Sequence, residues 1–334
     1  MLWGFDSSVD RVLITGASGF LGSELVRQAT DAGMMVRAMC RSHSSSLLGV
    51  DHYRADILNP TALIPALDGI KGVIHAAGLA HVFDQSSFAA ASFRAVNEVG
   101  TANVVRAAGH AGVQHCILIS SVSVYGGGAS GGDENLVCRP RGPYAESKWQ
   151  AELRAIEIAK TTGLPLTILR LATLYGEGDP GNVARLMRAI DRGRFLWVGD
   201  GSNRKSLIHR QDAARACLAV LRVPSIGINI YNVASSHYTI RELVEELASA
   251  LGRRVPRWRV PASFARGLTG MAARLTRGSG RVSLLHATVQ KWLEDDVYYA
   301  HKFERAYGFQ ATVTLAEGLR REVAWYRSLG PQSK

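Results

Sequence analysis

The 334-residue sequence is short of several features, and each shortage removes a class of protein. It has four cysteines, Cys40, Cys116, Cys138 and Cys217, with no C-x-x-C pair. That spacing fits neither a zinc site nor a disulfide framework, so small buried thiols in a reducing compartment are expected. Ten prolines against 34 glycines leave no proline-rich linker. No run approaches the ~18 apolar residues that span a bilayer. Asp6 and Asp10 stand where a secretory leader needs apolar side chains. These absences predict a cytoplasmic chain. Hydrophobic residues at 47% and charged residues at 20% are those of a globular protein, long enough for one large α/β domain or two modest ones.

Acidic residues are also missing from one long stretch. None lies between Glu246 and Glu294, where Arg253, Arg254, Arg257, Arg259, Arg266, Arg274, Arg277, Arg281 and Lys291 stand. Much of the formal net charge of +11 is therefore local. Such a patch attracts phosphorylated ligands, anionic lipid or nucleic acid. No recognised nucleic-acid motif accompanies it, and no nucleic-acid partner is expected. Within 262–281, Phe264, Leu268, Met271 and Leu275 share one side of a helical wheel, and Arg266, Arg274, Arg277 and Arg281 the other. Gly267, Gly270, Gly278 and Gly280 weaken that helix. A solvated arginine face over the C-terminal lobe is expected there, rather than a membrane contact.

The first 125 residues alternate short apolar runs, at 11–15, 36–40, 72–75 and 115–120, with segments of helical length such as 22–32 and 93–110; another run follows at 167–170. This alternation predicts an α/β fold, a doubly wound parallel sheet of the Rossmann, dinucleotide-binding type. Residues 126–132 and 174–181 read as glycine-rich loops. Strands at 206–208 and 228–233 are expected to return to the sheet. The resulting division is a dinucleotide-binding domain over 1–178 with 206–236, and a smaller, mostly helical substrate lobe over 179–205 and 237–334.

The first strand runs directly into Gly16, Gly19 and Gly22 and then a helix. Glycine admits positive φ and close backbone approach, and a helix N-terminus offers unpaired N–H groups to a pyrophosphate. The spacing G-x-x-G-x-x-G is one residue longer in its first gap than the common dinucleotide fingerprint. Tyr144 and Lys148, in PYAESK, lie four apart at a helix start and share a face. The ammonium is expected to lower the phenol's pKa into the range useful for proton transfer with a carbinol oxygen. Upstream, the apolar strand of ILISSVSVYG ends in hydroxyls, at the edge where ligands meet an open parallel sheet. Ser121 or Ser123 would hydrogen-bond a reacting oxygen there, or else cap the strand end. The second strand ends in Cys40-Arg41-Ser42, without the carboxylate that NAD enzymes of this fold use on the ribose. Arg41 is suited instead to a 2′-phosphate, which predicts NADP in preference to NAD.

Together, TGASGFLG, ADI at 55–57, HAAG at 75–78, N-x-x-G-T-x-N at 97–103, SSVSVYG, PYAESK, LRLATLYG, VGDGSNRKSLIH and GLRREVAWY resemble the extended short-chain dehydrogenase/reductase family. Within it they resemble the NAD-dependent epimerase/dehydratase group, which acts on nucleotide sugars. The resemblance runs from residue 11 to about residue 326. It implies Ser121, Tyr144 and Lys148 as the catalytic set, Lys148 also holding the nicotinamide ribose. It implies a coenzyme cradle of Gly16, Ser18, Gly19, Phe20, Leu21 and Gly22. Asp56 and Ile57 would meet the adenine, Ala76, Ala77 and Gly78 would line the coenzyme, and Asn97 would support the site. Ser123, Asn182, Arg204, Lys205 and His209 would meet the substrate, with the cationic pair gripping its diphosphate. No metal is implied.

Two departures narrow the expected activity. Val122 and Ser123 stand where sugar 4,6-dehydratases of the family carry an acidic pair, which argues against dehydration. Thr173 replaces the Asn of many epimerases. The expected reaction is reduction of a 4-keto-6-deoxy sugar on a nucleoside diphosphate, in polysaccharide synthesis. A nucleotide-sugar 4-epimerase is the alternative, and a non-catalytic dinucleotide sensor a remote one. Reduction of a hydrophobic ketone would leave the Arg204-Lys205 pair unexplained. The family resemblance also implies a homodimer joined through the helices at 93–110 and 144–161.

Overall fold

The computed structural model describes residues 11–41, 50–80, 87–256, 258–275 and 289–330, with the side chains of 87, 88 and 273–275 left out. Its first half contains β1 (Arg11–Thr15), α1 (Phe20–Asp31), β2 (Met35–Cys40), β3 (Asp51–Arg54), α2 (Pro60–Ala66), β4 (Gly72–His75), α3 (Ser87–Phe93), α4 (Gly100–His110), β5 (His115–Ser121), β6 (Ser130–Gly132) and α5 (Pro143–Thr162). The second half contains β7 (Leu166–Leu171), β8 (Thr173–Tyr175), α6 (Asn182–Asp191), β9 (Trp197–Val198), β10 (Arg204–His209), α7 (Arg210–Leu221), β11 (Ile228–Val233), β12 (Ser236–Thr239), α8 (Ile240–Leu251), β13 (Arg259–Val260), α9 (Ala262–Leu275) and β14 (Val297–Tyr298).

β4 and β7 are buried at every residue, as strands covered on both faces must be. Seven strands form one parallel sheet in the order β3-β2-β1-β4-β5-β7-β11. Leu25 and Val26 of α1 with Ala213 and Leu221 of α7 cover one face; Val104 and Val105 of α4 with Ala155 and Ile158 of α5 cover the other. The Rossmann-type fold read from the sequence is present. Its strand order reverses direction between β1 and β4, where such sheets open a ligand crevice.

Three details depart from the expectations. β3, DHYR, is a polar edge strand with almost no buried side chain, so hydrophobic periodicity had nothing to register. The helix expected over 93–110 is broken: a π-helical turn, Arg94–Val99, separates α3 from α4. β11 joins the large sheet as expected, but β10 does not. It pairs with β8 and β12 in a separate three-stranded sheet. Leu207 of β10 sits in a further apolar core with Tyr175, Met187, Trp197, Leu247 and Leu319. β8 and β10 thus lie in this smaller sheet, with Leu207 facing this core and Ile208 the main one. The pairing of so short a run is not fixed by its own composition.

Candidate active site

Gly16 has φ +66°, and a Cβ there would lie 2.7 Å from the Ala77 backbone; a Cβ on Gly22 would lie 2.0 Å from the Gly16 carbonyl oxygen. These glycines let the β1–α1 turn press directly against the 76–78 segment. Gly19 caps α1 without a side-chain hydrogen bond, and no acid lies in the first turn. The helix thus presents its first N–H groups to an anion, and this cradle fits a dinucleotide pyrophosphate. Ser18 is exposed beside it, while the Arg210 guanidinium covers the Phe20 ring at 5.0 Å.

Behind the cradle, the Thr15 hydroxyl meets His75 Nδ1 at 2.7 Å and accepts the Ala77 N–H at 3.1 Å, while His75 Nε2 meets the Thr101 hydroxyl at 3.0 Å. Burial, aided by the Lys148 charge, lowers the His75 pKa to about 3 from its ordinary 6.5. Between those values the unfolded chain binds a proton that the folded chain does not, so stability should rise with pH across that window. The slope from this group is at most about 1.4 kcal/mol per pH unit. Denaturant titrations at pH 7 and pH 4.5 should show the loss at the lower pH, and His75→Asn should flatten it. Equal pH dependence in both proteins would refute the assignment.

The π-helical turn carries Asn97 inward. Its Oδ1 accepts the Leu79 N–H at 2.7 Å, and its Nδ2 donates to the Leu79 carbonyl at 3.0 Å and to the Ser147 hydroxyl at 2.9 Å. One side chain thereby ties the loop after β4 to α5. π-Helical turns recur where a helix must re-aim a functional residue.

α5 begins at Pro143, whose fixed φ suits the first helical position, after Gly142 at φ +87°. Tyr144, Lys148 and Glu152 follow one turn apart on the same face. Tyr144 is half-buried and edge-on to Phe93 at 5.9 Å, with Ser121 near enough to its phenol to counter the effect of burial. The Ser121 hydroxyl also accepts the Ser123 N–H at 3.1 Å, so it caps the strand end as well as meeting the phenol. The Ser123 hydroxyl is buried and makes no hydrogen bond. Lys148 Nζ donates to the Ile119 carbonyl at 2.5 Å. Burial lowers the Lys148 pKa to about 8, against the opposing pull of Glu152. The expected depression of the Tyr144 pKa is corrected: burial raises it, and only the Ser121 hydrogen bond pulls it back.

Beneath this face lies a polar network that sequence reading missed. Glu152 and Arg170 form a 2.6 Å ion pair with both side chains buried. Ser120 donates to Glu152 at 2.5 Å, Arg170 donates to the Tyr125 hydroxyl at 2.9 Å, and that hydroxyl donates to Asn232 at 2.7 Å. The available signal was Glu152 standing four residues beyond Lys148; its partner on β7 is visible only in the fold.

Other predicted residues fall in varied surroundings. The Asp56 carboxylate accepts the Leu58 N–H at 2.9 Å, and the buried Ile57 offers its carbonyl to Asn103 at 3.0 Å. Arg41 is exposed at the end of β2, and its carbonyl accepts from Arg54 Nε at 3.2 Å. Arg54 was missed because β3 was missed. Asn182 is exposed at the start of α6. Lys205 is not an open cation: it donates to Asp296 and to the Lys291 carbonyl, each at 2.7 Å. Arg204 is looser, 3.9 Å from Asp295. Asp296 also accepts the Gly128 N–H at 3.2 Å, joining this segment to the loop that follows Ser121 and Tyr125. An open cavity of about 470 Å³ is lined by Asn203, Arg259 and Arg266, with Asp200 as its one carboxylate. His209 is corrected as a substrate residue. It is buried edge-on against Tyr175, with Nδ1 accepting the Gln211 N–H as the cap of α7 and Nε2 at 3.3 Å from Glu177.

Among the described residues no helix is long and apolar enough to cross a membrane, and no cluster of His, Cys, Asp or Glu is placed to hold a metal. Cys40, Cys116 and Cys217 are buried, and Cys138 is half-buried.

This combination of parallel sheet, glycine cradle and Ser–Tyr–Lys cluster is that of a short-chain dehydrogenase/reductase. Residues 12–234 match the model of the NAD dependent epimerase/dehydratase family, and the chain belongs to that family as an enzyme of the dehydrogenase/reductase type. It is 31% identical over 324 residues, 95% of each chain, to an N-acetyl-alpha-D-glucosaminyl-diphospho-ditrans,octacis-undecaprenol 4-epimerase of Escherichia coli O157:H7. It is 30% identical over 329 residues, 93% of this chain and 98% of the relative, to a 2-alkyl-3-oxoalkanoate reductase of Stenotrophomonas maltophilia (strain K279a). The structure of MoeE5 in complex with UDP-glucose and NAD superposes with a TM-score of 0.77 at 30% identity, covering 96% of this chain and all of that one (100%).

Proposed function

We propose that this enzyme reduces the carbonyl of a 4-keto sugar, of the 6-deoxy type, carried on a nucleoside diphosphate for polysaccharide synthesis in the cytoplasm. The observation that carries the reading is the placement of the Tyr144 phenol on the α5 face beside Ser121 at the strand end, where burial favours its protonated form. A phenol that rests protonated starts as an acid, which is what reduction asks for; epimerisation begins with removal of a proton. The dinucleotide, bound along the glycine cradle, supplies the hydride. Tyr144 gives its proton to the carbonyl oxygen as negative charge builds there, and Ser121 holds phenol and oxygen in line. Lys148, one turn along on the same face, is cationic below about pH 8 and suits a hydroxyl of the coenzyme ribose. The unpartnered hydroxyl of Ser123 supports a sugar hydroxyl nearby, because buried polar groups are rarely left unsatisfied. Arg204 and the cavity bearing Arg259 and Arg266 suit the diphosphate. Val99 and Leu153, exposed on the helical pair 94–110 and 143–162, support a homodimer.

The same reading favours NADP. Arg41 and Arg54 stand exposed at adjacent strand ends, Arg54 opposite Cys40 in register, and no carboxylate on either end repels a 2′-phosphate. Arg41→Asp should weaken NADPH by at least tenfold, roughly one lost charge-assisted contact, and change NADH little. Measured dissociation constants with wild-type preference for NADH would defeat this.

The relative named as a 4-epimerase supports a second reading, 4-epimerisation with retained coenzyme. Mass spectrometry of products from a nucleotide-sugar panel, with either coenzyme, separates the two. Reduction adds two hydrogens and consumes coenzyme, whereas epimerisation leaves the mass unchanged. Coenzyme binding without turnover anywhere in the panel would overturn both and leave a sensor.

A further inference from the structure

We propose that the end of the second lobe built from β9, β13 and α9 docks on the surface of an anionic lipid bilayer. This inference does not depend on which reaction the enzyme performs. α9 packs on the protein through Ala265, with Ala262, Thr269 and Ala272 partly covered. The apolar stripe read from the sequence faces elsewhere: Phe264, Leu268 and Met271 are 62%, 51% and 57% exposed. At about 100° per residue these three fall within one narrow sector of the helix. The expectation of a purely arginine outer face is therefore corrected. The side chains of Arg274 and Leu275, and all of Arg277 and Arg281, lie outside the described residues.

The stripe has apolar neighbours. Arg259 of β13 pairs with Trp197 of β9, and the residues just before that pair, Trp258 and Leu196, are 65% and 41% exposed. Single exposed apolar residues are ordinary, but a stripe with a tryptophan beside it marks an interaction face.

Charge identifies what covers it. Arg185, Arg188, Arg192 and Arg194 line an open groove of about 320 Å³ at the end of α6, and Arg194 stands two residues before Leu196. Arg254 is exposed on the other approach to the ladder. The Arg253–Asp191 ion pair at 3.2 Å joins the two segments and neutralises Asp191. Asp200 is the exposed acid nearest the ladder, and its carboxylate is taken by Ser202. A second copy of this chain would bring these arginines against their own kind, a repulsive arrangement. Lipid phosphates fit them, with Phe264, Leu268 and Met271 at the acyl boundary and Trp258 at headgroup level.

The test is co-sedimentation of the full chain with vesicles of phosphatidylcholine alone or mixed with phosphatidylglycerol. Binding is expected to the mixed vesicles at low salt, at least about tenfold weaker to phosphatidylcholine alone, and weakened by salt. The triple variant Phe264→Ser/Leu268→Ser/Met271→Ser should lose at least about tenfold in partitioning, and Arg192→Glu/Arg194→Glu a comparable amount. Both should keep the wild-type melting temperature and coenzyme affinity in solution. Absence of wild-type binding to mixed vesicles, equal binding to phosphatidylcholine alone, or full binding by either variant would overturn the proposal. So would a wild-type oligomer that the serine variant splits while neither protein binds vesicles, since the face would then join copies of the chain.

Discussion

Tyr144→Phe should lower turnover by ~100- to 10,000-fold while dinucleotide affinity stays unchanged, because the variant loses only the proton that the phenol supplies. The ring keeps its edge-on contact with Phe93, so the helix start should not move. What disappears is the hydroxyl beside Ser121 at the strand end. Steady-state kinetics with the reducible substrate, beside a coenzyme titration, check both halves. Near wild-type turnover would remove Tyr144 from the reaction; intact turnover with lost coenzyme affinity would make it a binding residue.

The largest stability effect should come from Arg170→Met. Its guanidinium is bonded to Glu152 at 2.6 Å, and neither side chain reaches solvent. Removing one partner leaves a buried carboxylate with only the Ser120 hydroxyl and the Lys148 charge near it, a loss of about 3–5 kcal/mol. The same change removes the donor to the Tyr125 hydroxyl, which keeps only its own bond to Asn232 on the outermost strand of the sheet. Glu152→Met combined with Arg170→Met should recover much of the stability, since no charge is then left to desolvate. Denaturant midpoints of the single and double variants check this. A single variant as stable as wild type, or a double variant no better than the single, would show that the pair is not what holds α5 to β7.

Several features needed no tertiary information. β1 and β4 carry most of their burial in their own composition, because a strand covered on both faces is predominantly apolar. Gly16 and Gly22 were legible because a tight strand-to-helix turn excludes any side chain there, and the clashes with Ala77 and Gly16 bear that out. Tyr144 and Lys148 share a face because helical geometry puts residues four apart on one side. Each of these follows from neighbours within one or two turns of chain.

The tertiary structure decided the rest, for a common reason. β10 has an apolar pair in an otherwise polar run; it joins β8 and β12 rather than the main sheet, with Leu207 facing the α6–α8 core and Ile208 the main one. Lys205 reads as a cation for a diphosphate until Asp296, 91 residues away, closes on it. His209 looks like a substrate ligand and is instead buried as a helix cap. The stripe of α9 reads the same on a helical wheel whether it faces protein or solvent; only the packing of Ala265 turns Phe264, Leu268 and Met271 outward. Local sequence sets the period of an apolar face and the conformations a backbone can adopt. Which surface covers that face, and whether a charge finds a partner, is set by long-range packing, where residues far apart in the chain compete for the same contacts.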